Sequence, residues 1–158
     1  MAAKQTTNKI DPNLLLIGGG AALFYFGVMD PLLKAIGLKD DKEDKEADKE
    51  LETAETSPGW DPKYYLQNRG KGYRVLTADS AIFLADEIAE ARGWFNDDEE
   101  RIYSAFRMIG DHFQLAQVSD AYILKYRSDL YADLRNWLSE KEFLYIAVLV
   151  NKLPPYRK

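Results

Sequence analysis

The sequence predicts an all-α protein: an N-terminal transmembrane helix, then a charged spacer, then a compact bundle of five short helices. Three observations predict this order. An uncharged apolar run lies at residues 14–29, a low-complexity charged run lies at 39–57, and apolar residues recur at helical spacing from 77 to 153. From residue 77 onward, no segment alternates polar and apolar residues as a half-buried strand would.

The composition excludes several kinds of site. The chain of 158 residues has no cysteine, which excludes disulfides, cysteine-ligated zinc, thiol nucleophiles and lipoprotein attachment. His112 is the one histidine, so a site with several histidines cannot form within one chain. The formal net charge is −5, and 39–57 accounts for it with nine acids and four lysines. We expect no catalytic residues, no metal ligands, no cofactor and no nucleic-acid partner.

Residues 13–38 are predicted to form a transmembrane helix with an interfacial extension, after a polar tail at 1–12. As a helix, the uncharged run would span about 24 Å, slightly less than the roughly 30 Å of a hydrocarbon core. The segment from Pro31 to Leu38 can extend it into the interface. The residues expected to anchor the chain in lipid are the large apolar ones of the run: Leu14, Leu15, Leu16, Ile17, Leu23, Phe24, Phe26 and Val28.

Two other interpretations of this apolar run stay open. A cleaved signal peptide fits the basic start, although no small-x-small cleavage site follows. A buried helix of a globular domain is the other, although three consecutive glycines would weaken a helix in water by about 1 kcal/mol each. The orientation in the membrane is left open, because lysines lie on both sides of the run.

A spacer at 39–57 and an arm at 58–76 follow. The spacer repeats an Asp-Lys-Glu unit and has little to bury, which predicts a solvated helix or an extended coil. The arm interleaves aromatic and basic residues, a pattern that can stack on bases, lie at lipid headgroups, or cradle a phosphate at 68–72. It can also pack on the following domain as an irregular segment. The arm residues expected to contact a partner are Trp60, Lys63, Tyr64, Tyr65 and Arg69.

Capping signals divide residues 77–153 into five predicted helices, with a tail at 154–158. The first runs from about 78 to 92 and the third from about 113 to 127. Asn96 with Glu99 is a capping-box pattern for the second helix, and Ser139 with the glutamate at 142 is another for the fifth. Ser128 is the expected cap of the fourth helix, and Pro154 with the following proline ends the fifth.

This domain resembles a single annexin repeat, a bundle of five short helices. Three segments carry the resemblance: Gly93-Trp-Phe-Asn-Asp-Asp-Glu-Glu-Arg-Ile102, Tyr126-Arg-Ser-Asp-Leu-Tyr-Ala-Asp-Leu-Arg-Asn-Trp-Leu-Ser139 and Phe143-Leu-Tyr-Ile-Ala-Val-Leu149. Annexins usually have four repeats, and here the calcium loop lacks its second glycine and differs in length. Trp137 stands where the distant acidic ligand would fall. We therefore expect no calcium-dependent phospholipid binding. We interpret Asp97, Asp98, Glu99 and Glu100 as first-turn acids whose negative charges complement the positive end of the helix dipole.

The wider layout resembles small structural proteins from bacteriophages of Bacteroidetes hosts. The arm segment Asp61-Pro-Lys-Tyr-Tyr65 and the domain segment Phe95-Asn-Asp-Asp-Glu-Glu100 carry this resemblance. It implies a non-enzymatic minor virion protein that is single-pass in an internal phage membrane and tethers it to the capsid or a vertex. Its partners would be the lipid membrane and capsid or other structural proteins, and a homo-oligomer is a further hypothesis.

Two other functions remain open at this point. One is a cell-envelope adaptor in the bacterial inner membrane whose head binds anionic lipid or a protein partner. The other is an enzyme such as a cell-wall hydrolase, with acids drawn from residues 97–100 and from Asp111, next to His112. No pocket signature and no spacing supports the enzyme.

Overall fold

The structure is a computed structural model that describes residues 43–92 and 98–158. These residues form seven α-helices, one 3₁₀ turn (Pro58–Trp60) and no strand, which confirms the all-α class for this part of the chain. In chain order the helices are α1 (Glu43–Glu55), α2 (Pro62–Asn68), α3 (Ala78–Glu90), α4 (Glu99–Met108), α5 (His112–Tyr126), α6 (Leu130–Trp137) and α7 (Glu140–Asn151).

The predicted transmembrane helix at 13–38, with all eight anchor residues, lies outside the described residues, as does the tail at 1–12. Among the helices of 43–92 and 98–158, none combines the length and the apolar character needed to cross a bilayer. The transmembrane helix therefore stays a prediction from the sequence.

Helix α5 is the central helix of the described fold. It packs against α2, α3 and the 3₁₀ turn, while α4 packs on α3 and α7. Its buried side chains point in every direction around the helix axis: Phe113, Gln114, Leu115, Ala116, Gln117, Val118, Ser119 and Tyr122. A helix that is buried all round lies inside a domain rather than on its surface. The segments before and after it are therefore folded onto it.

The five helices predicted after residue 77 are all present, and the caps correct two details. The capping box of α7 is confirmed, since Ser139 and Glu142 bond reciprocally. Helix α4 is capped by Asp98, two residues after the predicted cap at 96, and Asp98 accepts from the N–H of Arg101. Residue 96 itself lies outside the described residues. Asp129, rather than the serine before it, caps α6 by accepting from the N–H of Ala132 at 2.8 Å.

Residues 43–55 of the charged spacer form a helix whose C-terminal end belongs to the core. Ala54 of α1 is fully buried, and its carbonyl accepts from the indole N–H of Trp60 at 2.7 Å. One turn earlier, the Asn151 amide of α7 donates to the Glu50 carbonyl at 2.9 Å and to its carboxylate at 2.6 Å. Of the two alternatives for the spacer, the helix agrees with α1, but its last two turns are bonded to the rest of the domain rather than fully solvated.

Candidate functional site

Trp60 of the arm is a core residue. Its ring centroid lies 5.9 Å from that of Phe106 and 5.4 Å from that of Tyr131, and only 7% of the residue is exposed. The expectation that Trp60 contacts a partner required an exposed side chain, so it is corrected here. The two rings that enclose Trp60 come from α4 and α6, far along the chain.

Two tyrosines of the arm attach α2 to the domain. Asp61 caps α2 by accepting from the N–H of residue 63 at 2.9 Å, and Pro62 occupies the first helical position, where no N–H is needed. The ring centroids of Tyr64 and Tyr65 then lie 6.4 Å and 5.4 Å from that of Phe113, which is fully buried. The arm therefore packs on the domain, as one interpretation predicted, but as a helix rather than as an irregular segment.

The charged residues of the arm remain on the surface. Lys63 and Arg69 are exposed, so their charged groups face solvent. Of the arm residues expected to contact a partner, these two remain accessible to one. In the glycine-containing loop after α2, Lys71 donates to the Asn68 side chain at 2.8 Å. The lysine of the segment 68–72, whose pattern can cradle a phosphate, is therefore hydrogen-bonded within that segment.

The C-terminal tail closes over the start of α5. The Pro154 and Pro155 carbonyls accept from the N–H groups of His112 and Phe113, at 2.9 Å and 3.2 Å. These two N–H groups belong to the first turn of α5, where the N–H groups have no acceptor within the helix itself. Tyr156 stacks on Tyr73 of the arm, with 4.1 Å between ring centroids and 10° between planes. The tail therefore joins the central helix to the arm.

Asp111 and His112, the residues of the enzyme hypothesis, are engaged in the fold. Asp111 is fully buried, and its two carboxylate oxygens each accept a main-chain N–H at 2.8 Å, from Gln114 and Arg157. The His112 Nδ1 lies 2.9 Å from the Ser57 hydroxyl, and burial lowers the pKa of this histidine below its ordinary 6.5. The carboxylate faces backbone donors and not the imidazole, so these groups do not form a Ser-His-Asp relay.

Acidic residues near α4 pair with arginines. The Glu100 carboxylate lies 2.6 Å from the Arg107 guanidinium, and Arg101 donates to the Glu87 carboxylate at 2.7 Å. In the parts of the chain that the structure describes, no group of three or more acidic or histidine side chains is placed to hold a metal ion. The Arg92 guanidinium lies 5.0 Å from the ring centroid of Trp137, the position matched to the annexin calcium ligand. A positive charge already lies there.

An open groove of about 530 Å³ lies between α3 and α5, with α2 at one side. Ile82 of α3 and Leu124 of α5 form its walls, and 42% and 61% of these residues are exposed. The remaining lining is mostly small or apolar and comes from all three helices: Tyr65, Ala78, Ala81, Gln117, Asp120, Ala121 and Lys125. An accessible concave apolar surface of this kind is typical of a binding site.

One carboxylate in this groove is incompletely compensated. Burial raises the pKa of Asp120, and the positive charge of Arg69 only partly opposes that shift. The groove lysine does not compensate it, because the Lys125 amino group lies 2.7 Å from both carboxylate oxygens of Asp86. The Tyr126 hydroxyl also donates to Asp86, at 2.7 Å. The charge left over in the groove is therefore the negative charge of Asp120.

The sequence contained a signal for this groove. Ile82 and Leu124 are large apolar residues that lie outside the buried faces of their helices, which contain Leu84 and Leu115. A second apolar face on a helix indicates a surface that something else covers. Among the residues expected to contact a partner, only Tyr65 lines the groove. The positive charge of Arg69 partly offsets the raised pKa of Asp120, the carboxylate of the groove.

The chain matches no known protein family, no curated protein and no solved structure. The resemblances to an annexin repeat and to bacteriophage structural proteins therefore remain predictions that rest on the quoted motifs.

Proposed function

We propose that this chain is a non-enzymatic, membrane-anchored structural tether whose helical head, residues 58–158, binds a protein partner. The apolar run at 13–38 supplies the anchor. On the resemblance to phage proteins, the chain would be a minor virion protein that links an internal membrane to the capsid or a vertex. The alternative setting is a bacterial cell-envelope adaptor in the inner membrane.

The observation that carries this proposal is the attachment of α1 to the head. A flexible coil between anchor and head would let the head sample many orientations. Here the acidic segment next to the predicted anchor is helical, and its last two turns are bonded to Trp60 and Asn151. A helix fixed at one end to the head suits a protein that holds two structures at a set spacing.

Two further observations support a protein partner over anionic lipid. The apolar groove carries a net negative group, Asp120, which disfavours phosphate headgroups. The lysine of the groove, Lys125, is already paired with the Asp86 carboxylate, so its charge is not available to a phosphate headgroup.

Flotation of the full chain with liposomes tests the anchor. A variant with Leu16→Arg and Phe24→Arg places two charges in the predicted core of the bilayer, at about 2.5–3.5 kcal/mol each. We expect the unchanged chain to float with neutral and anionic liposomes in high salt, and the variant to stay at the bottom. The matched control, Gln5→Arg with Asn8→Arg, adds the same charge to the polar tail and should float.

Three outcomes would contradict the proposal. Failure of the unchanged chain to float would exclude the membrane anchor. Flotation of the variant with anionic liposomes alone, reversed by salt, would favour the lipid-binding adaptor. Flotation of the variant only with calcium would restore annexin-type binding and overturn the interpretation of Trp137.

A further inference from the structure

We propose that the groove between α3 and α5 receives an amphipathic helix of the partner protein, and that a lysine or arginine on this helix pairs with Asp120. This inference rests on the proposed function, because it names the segment that the tether would bind. Three observations lead to this inference: the shape of the groove, the charge of the groove, and the lack of strand edges in the described fold.

The shape of the groove fits a helix. On α5, the residues Gln117, Asp120, Ala121 and Leu124 follow the i, i+3, i+4, i+7 spacing of one helical face, and Ala78, Ala81 and Ile82 form a face on α3. Side chains on such faces form ridges, and the groove between two helices accepts the ridge of a third. Buried Ala81 and half-buried Ala121 project little into the groove, so an incoming helix can insert large aliphatic side chains between Ile82 and Leu124.

An extended peptide is the less suitable occupant. Residues 43–92 and 98–158 contain no strand, so this part of the chain offers no sheet edge to pair with a peptide backbone. The backbone polar groups of an extended peptide would lose water on entering an apolar groove without gaining partners. A helix satisfies these groups internally and presents only its side chains.

The charge of the groove specifies a basic residue on the occupant. A purely apolar cover would remove the remaining water from Asp120 and leave a buried carboxylate with incomplete pairing, which is costly. Lys125 is held by Asp86, and the charge of Arg69 only partly offsets the burial of Asp120. A lysine or arginine from the occupant supplies the missing cation, whereas an acidic side chain or a phosphate would be repelled.

Selection from a displayed library of helical peptides, with the full chain held in nanodiscs, tests this inference. We expect enriched peptides to combine apolar residues at i, i+3, i+4 and i+7 with one lysine or arginine. Against Asp120→Asn, these peptides should bind about tenfold more weakly. Against Asp120→Lys, the selection should enrich aspartate or glutamate at the same position.

Two matched variants locate the binding. Leu124→Glu places a charge on the groove wall and should abolish binding of the enriched peptides. Met108→Glu makes the same kind of change on α4, outside the groove lining, at a residue that is 62% exposed, close to the 61% of Leu124. It should leave binding unchanged. Both residues are largely exposed, so neither change endangers the fold.

Four outcomes would overturn the inference: no enriched peptide, enriched peptides without a basic residue, binding that survives Leu124→Glu, and no reversal with Asp120→Lys. Self-association that Leu124→Glu abolishes would assign the groove to a second copy, and release from liposomes by Leu124→Glu would assign it to lipid. Both results would also overturn it. If selection fails while flotation depends on the apolar run, the anchor proposal stands and only this inference is lost.

Discussion

The buried carboxylate of Asp111 accepts a hydrogen bond from the main-chain N–H of Arg157 at 2.8 Å, which fastens the C-terminal tail to the first turn of α5. The other oxygen of the same carboxylate accepts from the N–H of Gln114, also at 2.8 Å. A single side chain therefore starts the central helix and holds the tail. Its loss affects both.

We expect Asp111→Ala to destabilise the domain by about 3 kcal/mol, because a helix cap is lost together with a charge-assisted hydrogen bond in a buried place. Denaturant unfolding followed by circular dichroism measures this change. The matched control is Asp129→Ala, which removes the exposed cap of α6 and should cost about 1 kcal/mol. Equal losses in the two variants would show that the tail contact contributes nothing.

Stability should fall below pH 6.5 because of His112. Burial lowers the pKa of this histidine in the folded chain, so the unfolded chain binds the proton more tightly. The stability that neutral His112 contributes is therefore complete above pH 6.5 and is lost as the pH falls toward the lowered pKa. Nearby Asp111 acts in the opposite sense and limits the effect. Free energies of unfolding measured from neutral pH down to about pH 5 show the decline.

The variant His112→Gln is the control for that pH dependence. Since the chain has one histidine, this change removes the group that ordinarily titrates near pH 6.5. The decline over this range should then disappear, although the variant is less stable overall because the contact with Ser57 is altered. The same slope in both proteins would contradict the assignment to His112.

Trp60→Phe should loosen α1 while the rest of the domain stays folded. Phenylalanine keeps an aromatic ring between Phe106 and Tyr131 but has no N–H to donate to the Ala54 carbonyl. The loss is about 1 kcal/mol, and it should appear as faster amide hydrogen exchange in 43–56 with unchanged exchange in α5. Trp137→Phe, the matched control, should leave the exchange of α1 as it is.

Gly59→Ala should destabilise the domain by about 1–3 kcal/mol, because a Cβ at this position would lie 2.6 Å from Cδ2 of Leu115. The double variant with Leu115→Ala tests the cause. Removing the leucine side chain makes room for the new methyl group, so the loss in the double variant should be smaller than the sum of the single losses. Additive losses would place the strain elsewhere. Thermal and denaturant unfolding supply the values.

The helices after residue 77 were predictable because their apolar periodicity and caps agree. The errors lie where two neighbouring polar residues both satisfy the capping rule, as Ser128 and Asp129 do, and only the side-chain direction decides. Helix α2 was not predicted, although Asp61 and Pro62 are standard start signals. The aromatic and basic residues that follow are typical of a ligand-binding surface, so the segment was interpreted as an arm and not as a helix capped by Asp61.

The burial of Trp60 and the shape of the groove could not be predicted from local sequence. The neighbours of Trp60 are Phe106 and Tyr131, and no periodicity within the arm indicates that they lie beside it. The groove is a space between α3 and α5, with Tyr65 of α2 at one side, so its lining comes from three segments that are separate in the sequence. Its apolar walls were visible as extra hydrophobic residues, but their common location was not.

The attachment of α1 also determines how the head responds to mechanical force. Tension on α1 is carried by the covalent chain and also by two hydrogen-bonded contacts, the Trp60 indole at Ala54 and the Asn151 amide at Glu50. Because Asn151 lies in α7, part of a load on α1 passes directly to the last helix of the domain and not only through the connection at 56–61.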